Sequence, residues 1–308
     1  MITGIDRVGP PLCLCEINSL PLLFLLLLLL PFIDKFLTHN LYIVIVKKSK
    51  QFNKNYKGIS ANESYLLSLI EESNLAVFGV KETGYLSGWN RDRLYNTLFS
   101  LEKKDLITRL KRNCYTLKSN ENLFRIATEA VKPSYISFWT ALSFYGFTEQ
   151  QLKTIQLVST KQVGRLSLDS FMIEVTTFHP KKFYGYEKIE GFVIAEPEKA
   201  LIDSLSQPDK CGGLNEFAKC LKNAWKDLNR KRFVDYLIKF NNRSVVSRAG
   251  YLIEYLELEE RVEKLQKHKS RSFINLGITE TTGKGREKEY DKRWNVIINQ
   301  RIEQEVIR

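Results

Sequence analysis

The sequence predicts an α+β protein, with an N-terminal winged helix-turn-helix over residues 47–119 and a larger mixed α/β C-terminal domain over 120–308. Three observations carry this. Between residues 60 and 104, apolar side chains recur at helical spacing behind capping residues, and a strand pair with a cationic turn follows. Beyond residue 150, short β-rich runs give way to helical ones. Charge is also concentrated, since residues 47–119 carry 14 basic and 7 acidic side chains against 31 and 25 over the much longer 120–308.

Ser60-Ala61-Asn62-Glu63 matches a capping box, in which hydroxyl and carboxylate each satisfy the other's backbone N–H. Leu66, Leu69 and Ile70 behind it share one face of a first helix ending near Glu72. A second, short helix is expected over Val80–Leu86. Ser87-Gly88-Trp89-Asn90 then reads as a turn, with Asn90 capping a third helix to about Lys104. Residues 106–110 and 114–117 read as two strands joined at Lys111-Arg112-Asn113, where Asn113 tolerates the left-handed backbone of a tight turn.

In the C-terminal part, Asn122–Ala130 is expected to be helical, and Pro133-Ser134-Tyr135-Ile136-Ser137 interrupts it. Ser137 is expected to cap a helix through Tyr145, which Gly146 closes. Strands are expected at 154–158 and 170–175, with a turn around Gly164, and at 191–195. The last runs into a helix with Pro197 in its first turn and Glu196 and Glu198 at its positive end. Helices follow at 214–224, 230–240 and 245–258. Gly250 inside the last of these costs about 1 kcal/mol relative to Ala, which implies a neighbour packed closely against it. Residues 284–292 read as a charged loop and 294–298 as a final strand.

The chain of 308 residues carries 47 Lys and Arg against 35 Asp and Glu, a net charge of +12, which favours a polyanionic partner. Five scattered Cys make no disulfide framework and fit a reducing compartment. His39, His179 and His268 are the only histidines, too few for a His-rich metal site.

The first 46 residues form an apolar extension whose run from Leu20 to Ile33 is shorter than the roughly 20 residues a membrane span needs, with Pro31 near its far end. It also lacks the basic start and small-residue cleavage site of a signal peptide. We expect the natural protein to begin near residues 41–48 and to be cytoplasmic, without membrane contact. A membrane anchor through residues 20–33 is the second reading.

On the third helix, Leu94, Leu98 and Leu101 form the inward stripe, and Arg93, Asn96, Ser100 and Lys103 are expected on the other side, with Arg91 at the helix start. Arg can chelate guanine, Asn can chelate adenine, and Ser and Lys hold phosphates. Asp92 on this side would repel phosphate but could accept from cytosine. Lys111 and Arg112 at the hairpin tip complete the expected DNA-binding set.

Pro133–Ser137, Ala141-Leu142 with Tyr145-Gly146, Ala195-Glu196-Pro197-Glu198-Lys199-Ala200-Leu201-Ile202-Asp203, Arg248-Ala249-Gly250-Tyr251-Leu252 and Arg293-Trp294-Asn295 together resemble the AbiEi family of antitoxins from type IV toxin–antitoxin systems. The resemblance runs over residues 58–299 and includes Leu110–Tyr115 as the wing, where the family more usually has Gly at the position of Asn113. It implies an operon-repressing N-terminal domain that binds double-stranded operator DNA, expected as inverted repeats. It also implies a C-terminal domain that counteracts a nucleotidyltransferase-like toxin without needing to touch it.

No enzyme activity, cofactor or metal is expected. Glu196, Glu198 and Lys199 fail the nuclease spacing because Pro197 stands at the carboxylate position, His179 is read as a loop or packing residue, and Cys13 and Cys15 lack a second pair. The competing readings are a nucleic-acid-processing enzyme targeted by the winged helix, and a membrane-tethered transcriptional regulator.

Overall fold

A computed structural model describes residues 58–150, 153–168, 171–258, 263–277 and 289–303. The apolar run from Leu20 to Ile33, and the expected start near residues 41–48, lie outside the described residues. Within them, no helix is long and apolar enough to cross a membrane. The protein is α+β, and residues 59–308 form one compact unit.

Helices α1 (Ala61–Ser73), α2 (Val80–Ser87) and α3 (Arg91–Lys103) come first, followed by a hairpin of β1 (Ile107–Lys111) and β2 (Cys114–Leu117). The local signals explain these bounds. Ser60 and Glu63 form the capping box at the start of α1, Asn90 Oδ1 accepts from Arg93 N at the start of α3, and Asn113 turns the hairpin at φ +57°. A single bridge, Phe78 to Tyr115, lays the segment between α1 and α2 beside β2.

Glu63 does more than cap. Its carboxylate is buried and accepts from Ser100 Oγ (2.5 Å) and Lys104 Nζ (2.8 Å) at the far end of α3, so one side chain fixes α1 against α3. Burial pushes its pKa up, but the bonds from Lys104, Ser100 and Ser60 outweigh that and hold it down at about 2.

The C-terminal part is a six-stranded mixed sheet of β3 (Ser134–Ile136), β4 (Thr154–Ser159), β5 (Leu166–Leu168), β6 (Phe171–Thr177), β7 (Tyr186–Ile189) and β8 (Phe192–Ala195), in the order β5-β6-β4-β3-β8-β7. The pairs β4–β6 and β3–β8 are parallel and the rest antiparallel. The sheet is packed by α4 (Leu123–Ala130), α5 (Phe138–Phe144) and α6 (Pro197–Ser206). Then come α7 (Leu214–Ala224), α8 (Arg230–Phe240), α9 (Arg243–Tyr255) and the short α10 (Glu263–Gln266). A small sheet of β9 (Ile274–Asn275), β10 (Glu289–Asp291) and β11 (Val296–Ile298) closes the fold.

Several expectations change. The Pro133–Ser137 stretch contains β3, in the interior of the sheet, β5 follows the expected turn around Gly164, and β7 stands where no element was expected. The charged segment expected as loop carries β10 at residues 289–291, while 284–288 lie outside the described residues. Ser137 precedes α5 without capping it, because its hydroxyl donates to Asp203 instead. Gly250 is as expected: a Cβ there would meet the buried Trp294 ring at 2.2 Å, so the helix tolerates glycine to let the indole through.

Asp203 belongs to a fully buried polar cluster among the described residues. On α6, Lys199 and Asp203 are both inaccessible to solvent and form an ion pair, joined by Tyr135 Oη (2.8 Å from Lys199 Nζ) and Ser137 Oγ (2.8 Å from Asp203). Burial shifts both away from their charged forms, lowering Lys199 and raising Asp203, with each partner opposing the shift of the other.

Two predictions follow from these ion pairs. Lys199→Met or Asp203→Asn alone leaves a buried partner uncompensated and should cost about 3–5 kcal/mol in urea unfolding. The Lys199→Met/Asp203→Asn double variant should cost clearly less than the two single costs summed, and strict additivity would refute the coupling. Glu63 has a depressed pKa, so its contribution is present above the unfolded value near 4.3 and is lost as pH falls towards about 2. The stability gap between parent and Glu63→Gln should therefore be about 2–3 kcal/mol at pH 6, after discounting for partly exposed Lys104, and close between pH 4.5 and 2. A gap independent of pH would rule out this role.

Candidate nucleic-acid interface

Helix α3 is amphipathic in the way its leucines require. Leu94, Thr97, Leu98 and Leu101 are buried, which leaves Asp92, Asn96, Phe99 and Lys103 along the opposite, solvent-facing strip. The side chains of Asn96 and Lys103 make no hydrogen bond among the described residues. Lys103 Nζ instead lies 4.6 Å from the centre of the Phe99 ring.

Arg93 and Ser100 are not on that strip. At 100° per residue they fall on the flank turned towards α1. Arg93 Nη2 donates to Asn62 Oδ1 (2.5 Å), and its guanidinium lies 3.8 Å over Trp89, which itself stacks on Tyr65. Arg93 remains exposed, but it is held at the junction of α1 and α3. Ser100 was expected to hold phosphate; its hydroxyl is half-buried and committed to Glu63, so that expectation is corrected.

The hairpin is also tied inward. Lys111 was expected at the cationic tip, yet its Nζ donates to the carbonyl of Ala130 (2.8 Å), the last residue of α4. A cation at the negative end of a helix is well placed electrostatically, so Lys111 docks the hairpin on the C-terminal part. Asn113 Oδ1 accepts from Val80 N (2.8 Å) and caps the start of α2. Gly79 makes that approach possible, since a Cβ there would be 2.5 Å from the Asn113 carbonyl oxygen. Arg112 at the tip is exposed and makes no hydrogen bond among the described residues.

Arg91 is exposed and donates to Tyr95 Oη (3.2 Å), with its guanidinium 5.3 Å over the same ring. The structure thus keeps Asn96 and Lys103 on the solvent-facing strip of α3, with Arg91 exposed on the flank opposite Arg93 and Arg112 at the hairpin tip, while Ser100 and Lys111 are bonded within the protein. It adds three residues that sequence reasoning missed. Tyr95 and Phe99 are 39% and 57% exposed on α3. Arg109 is exposed on β1, opposite Tyr115 in the ladder. The recurrence of Arg91, Tyr95, Phe99 and Lys103 every four residues was the available signal.

The other candidate chemistry is also placed. Glu196 and Glu198 are both held by Arg232 of α8 (3.2 Å and 3.0 Å), Glu196 accepts from Tyr236 Oη, and Glu198 accepts from Asn229 N. His179 is exposed and accepts from Lys181 N at the start of a single 3-10 turn. Among the described residues, no group of three His, Cys, Asp or Glu side chains is arranged to hold a metal. The chain matches no protein-family model and no curated protein.

Proposed function

We propose that the protein is a cytoplasmic DNA-binding transcriptional repressor that reads its operator with α3, the recognition helix of a winged helix-turn-helix. The observation that carries this reading is the solvent-facing strip of α3, where the Asn96 side chain is uncommitted and Lys103 lies against Phe99, with Arg109 and Arg112 exposed on the hairpin that follows. An Asn amide matches the major-groove edge of adenine, and the flanking cations match phosphates. The order of three helices and a hairpin, with Phe78–Tyr115 as a minimal third strand, supports the same reading. Arg93, braced between Asn62 and Trp89, suits a backbone contact better than a base edge.

The second half of the proposal is that the repressor is also the antitoxin of a type IV system, opposing a nucleotidyltransferase-like toxin that it need not touch. This rests on the resemblance of residues 58–299 to the AbiEi antitoxins. The C-terminal part, with its Ala195–Asp203 motif, is assigned to toxin neutralisation. The operator is expected as inverted repeats, each half taking one copy.

Binding titrations on the DNA upstream of its own gene, at several salt concentrations, test the reading. Asn96→Ala should cost about 1–3 kcal/mol on that duplex and little on a scrambled one. Arg112→Ala should weaken both and lower the salt slope by about one. Lys111→Ala and Ser100→Ala should reduce stability and leave the salt slope of the folded protein unchanged. Cells carrying Asn96→Ala should lose repression but still survive the toxin. Parent-like DNA binding by both Asn96→Ala and Arg112→Ala would remove α3 and the hairpin as the reading surface.

A further inference from the structure

Tyr95 and Phe99 are at odds with an ordinary solvated helix face. They stand one turn apart on the exposed side of α3, 39% and 57% accessible, while the leucines of the same helix are buried. Each ring carries a cation: Arg91 lies over Tyr95 and Lys103 over Phe99. The helix therefore offers an apolar centre with positive charge at both ends. Arg109 and Arg112 on the hairpin add exposed cations beside it. An apolar partner protein would gain nothing from that rim, whereas a duplex presents phosphates on both sides of a groove.

Within the major groove, one apolar group stands on the base edges, the 5-methyl of thymine, and aromatic side chains are suited to contact it. We propose that Phe99, with Tyr95 beside it, reads thymine methyl groups, and that Asn96, three residues before Phe99, takes an adenine of the same A·T-rich step. The proposal rests on α3 being the DNA-reading helix and deepens that reading. Asp92, on the same strip one turn before Asn96, is repelled by phosphates and keeps the strip over base edges. The site demands DNA over RNA, because uracil lacks the methyl and the A-form major groove is too narrow for a helix.

The test uses the full chain and a randomised duplex library, from which bound sequences are selected, followed by titration of the best duplex with each thymine replaced in turn by deoxyuridine. The parent protein should select A·T steps and lose about three- to fivefold in affinity for one or two specific replacements, the effect of one buried methyl. Phe99→Ala should lose a similar factor on the thymine duplex and become insensitive to those replacements, while Phe99→Leu keeps part of the response. Equal affinity of the parent for thymine and deoxyuridine duplexes overturns the methyl reading. Loss of selectivity in Asn96→Ala in that same experiment would leave α3 as the reading helix. Failure to enrich any sequence overturns both. A Phe99→Ala variant that changes its sedimentation but not its DNA binding would assign the strip to self-association and overturn the proposal.

Discussion

A lysine and an aspartate one turn apart on α6 sit wholly out of water, and the C-terminal sheet is arranged around them. Neither charge is tolerable there alone, since removing an ion from water costs far more than any single contact returns. The pair survives because its remaining donors and acceptors are met: Tyr135 from β3, Ser137 from the start of α5, and the ring faces of Tyr135, Phe178, Tyr184 and Phe240 at 5.1–5.4 Å from the ammonium. A one-residue slip of β3 would turn Tyr135 to the other face of the sheet and strand both charges. Sheet register, the entry to α5 and the seating of α8 through Phe240 are therefore one constraint. Such a pair need not be more stabilising than apolar residues of equal volume; its effect is on which arrangement is allowed.

The N-terminal helices are held by the same logic with a single carboxylate. Glu63 is buried at the point where α1 meets α3, and three donors converge on it, so the direction in which α3 presents its outer strip is set from the first turn of α1. The hairpin then binds this unit to the rest. Lys111 caps α4, Arg125 of α4 reaches back to the carbonyl and side chain of Asn74 at the end of α1, and Ala76, Leu110 and Cys114 enter the same apolar core as the C-terminal sheet. The three N-terminal helices and the C-terminal part are thus continuous in packing, without a loose linker at residues 119–120.

What could be read from the sequence was local. Caps at Ser60 and Asn90 involve atoms three residues apart, so their signals survive in a string of letters. Asn113 in the left-handed turn and Gly250 beneath Trp294 were legible for the same reason: a backbone cost demands an explanation wherever its partner comes from. The strands β3, β5 and β7 were not, because three- or four-residue strands carry too little periodicity and are specified by neighbours far along the chain. Ser137 and Ser100 show the limit on single residues. Ser137 reads as a helix cap and Ser100 as a phosphate contact, yet each hydroxyl is claimed by a carboxylate more than 35 positions away.

Counting cations therefore overstates the surface available to a ligand, and their surroundings matter more than their number. On α3 the cations lean on aromatic rings, Arg91 on Tyr95, Arg93 on Trp89 and Lys103 on Phe99. A side chain laid along a ring has already surrendered part of its rotamer freedom, so less remains to be lost when it meets an anion. The exposed aromatics and the cations of this helix are thus parts of one arrangement. Each ring positions a charge, and the Asn96 side chain stands uncommitted between them.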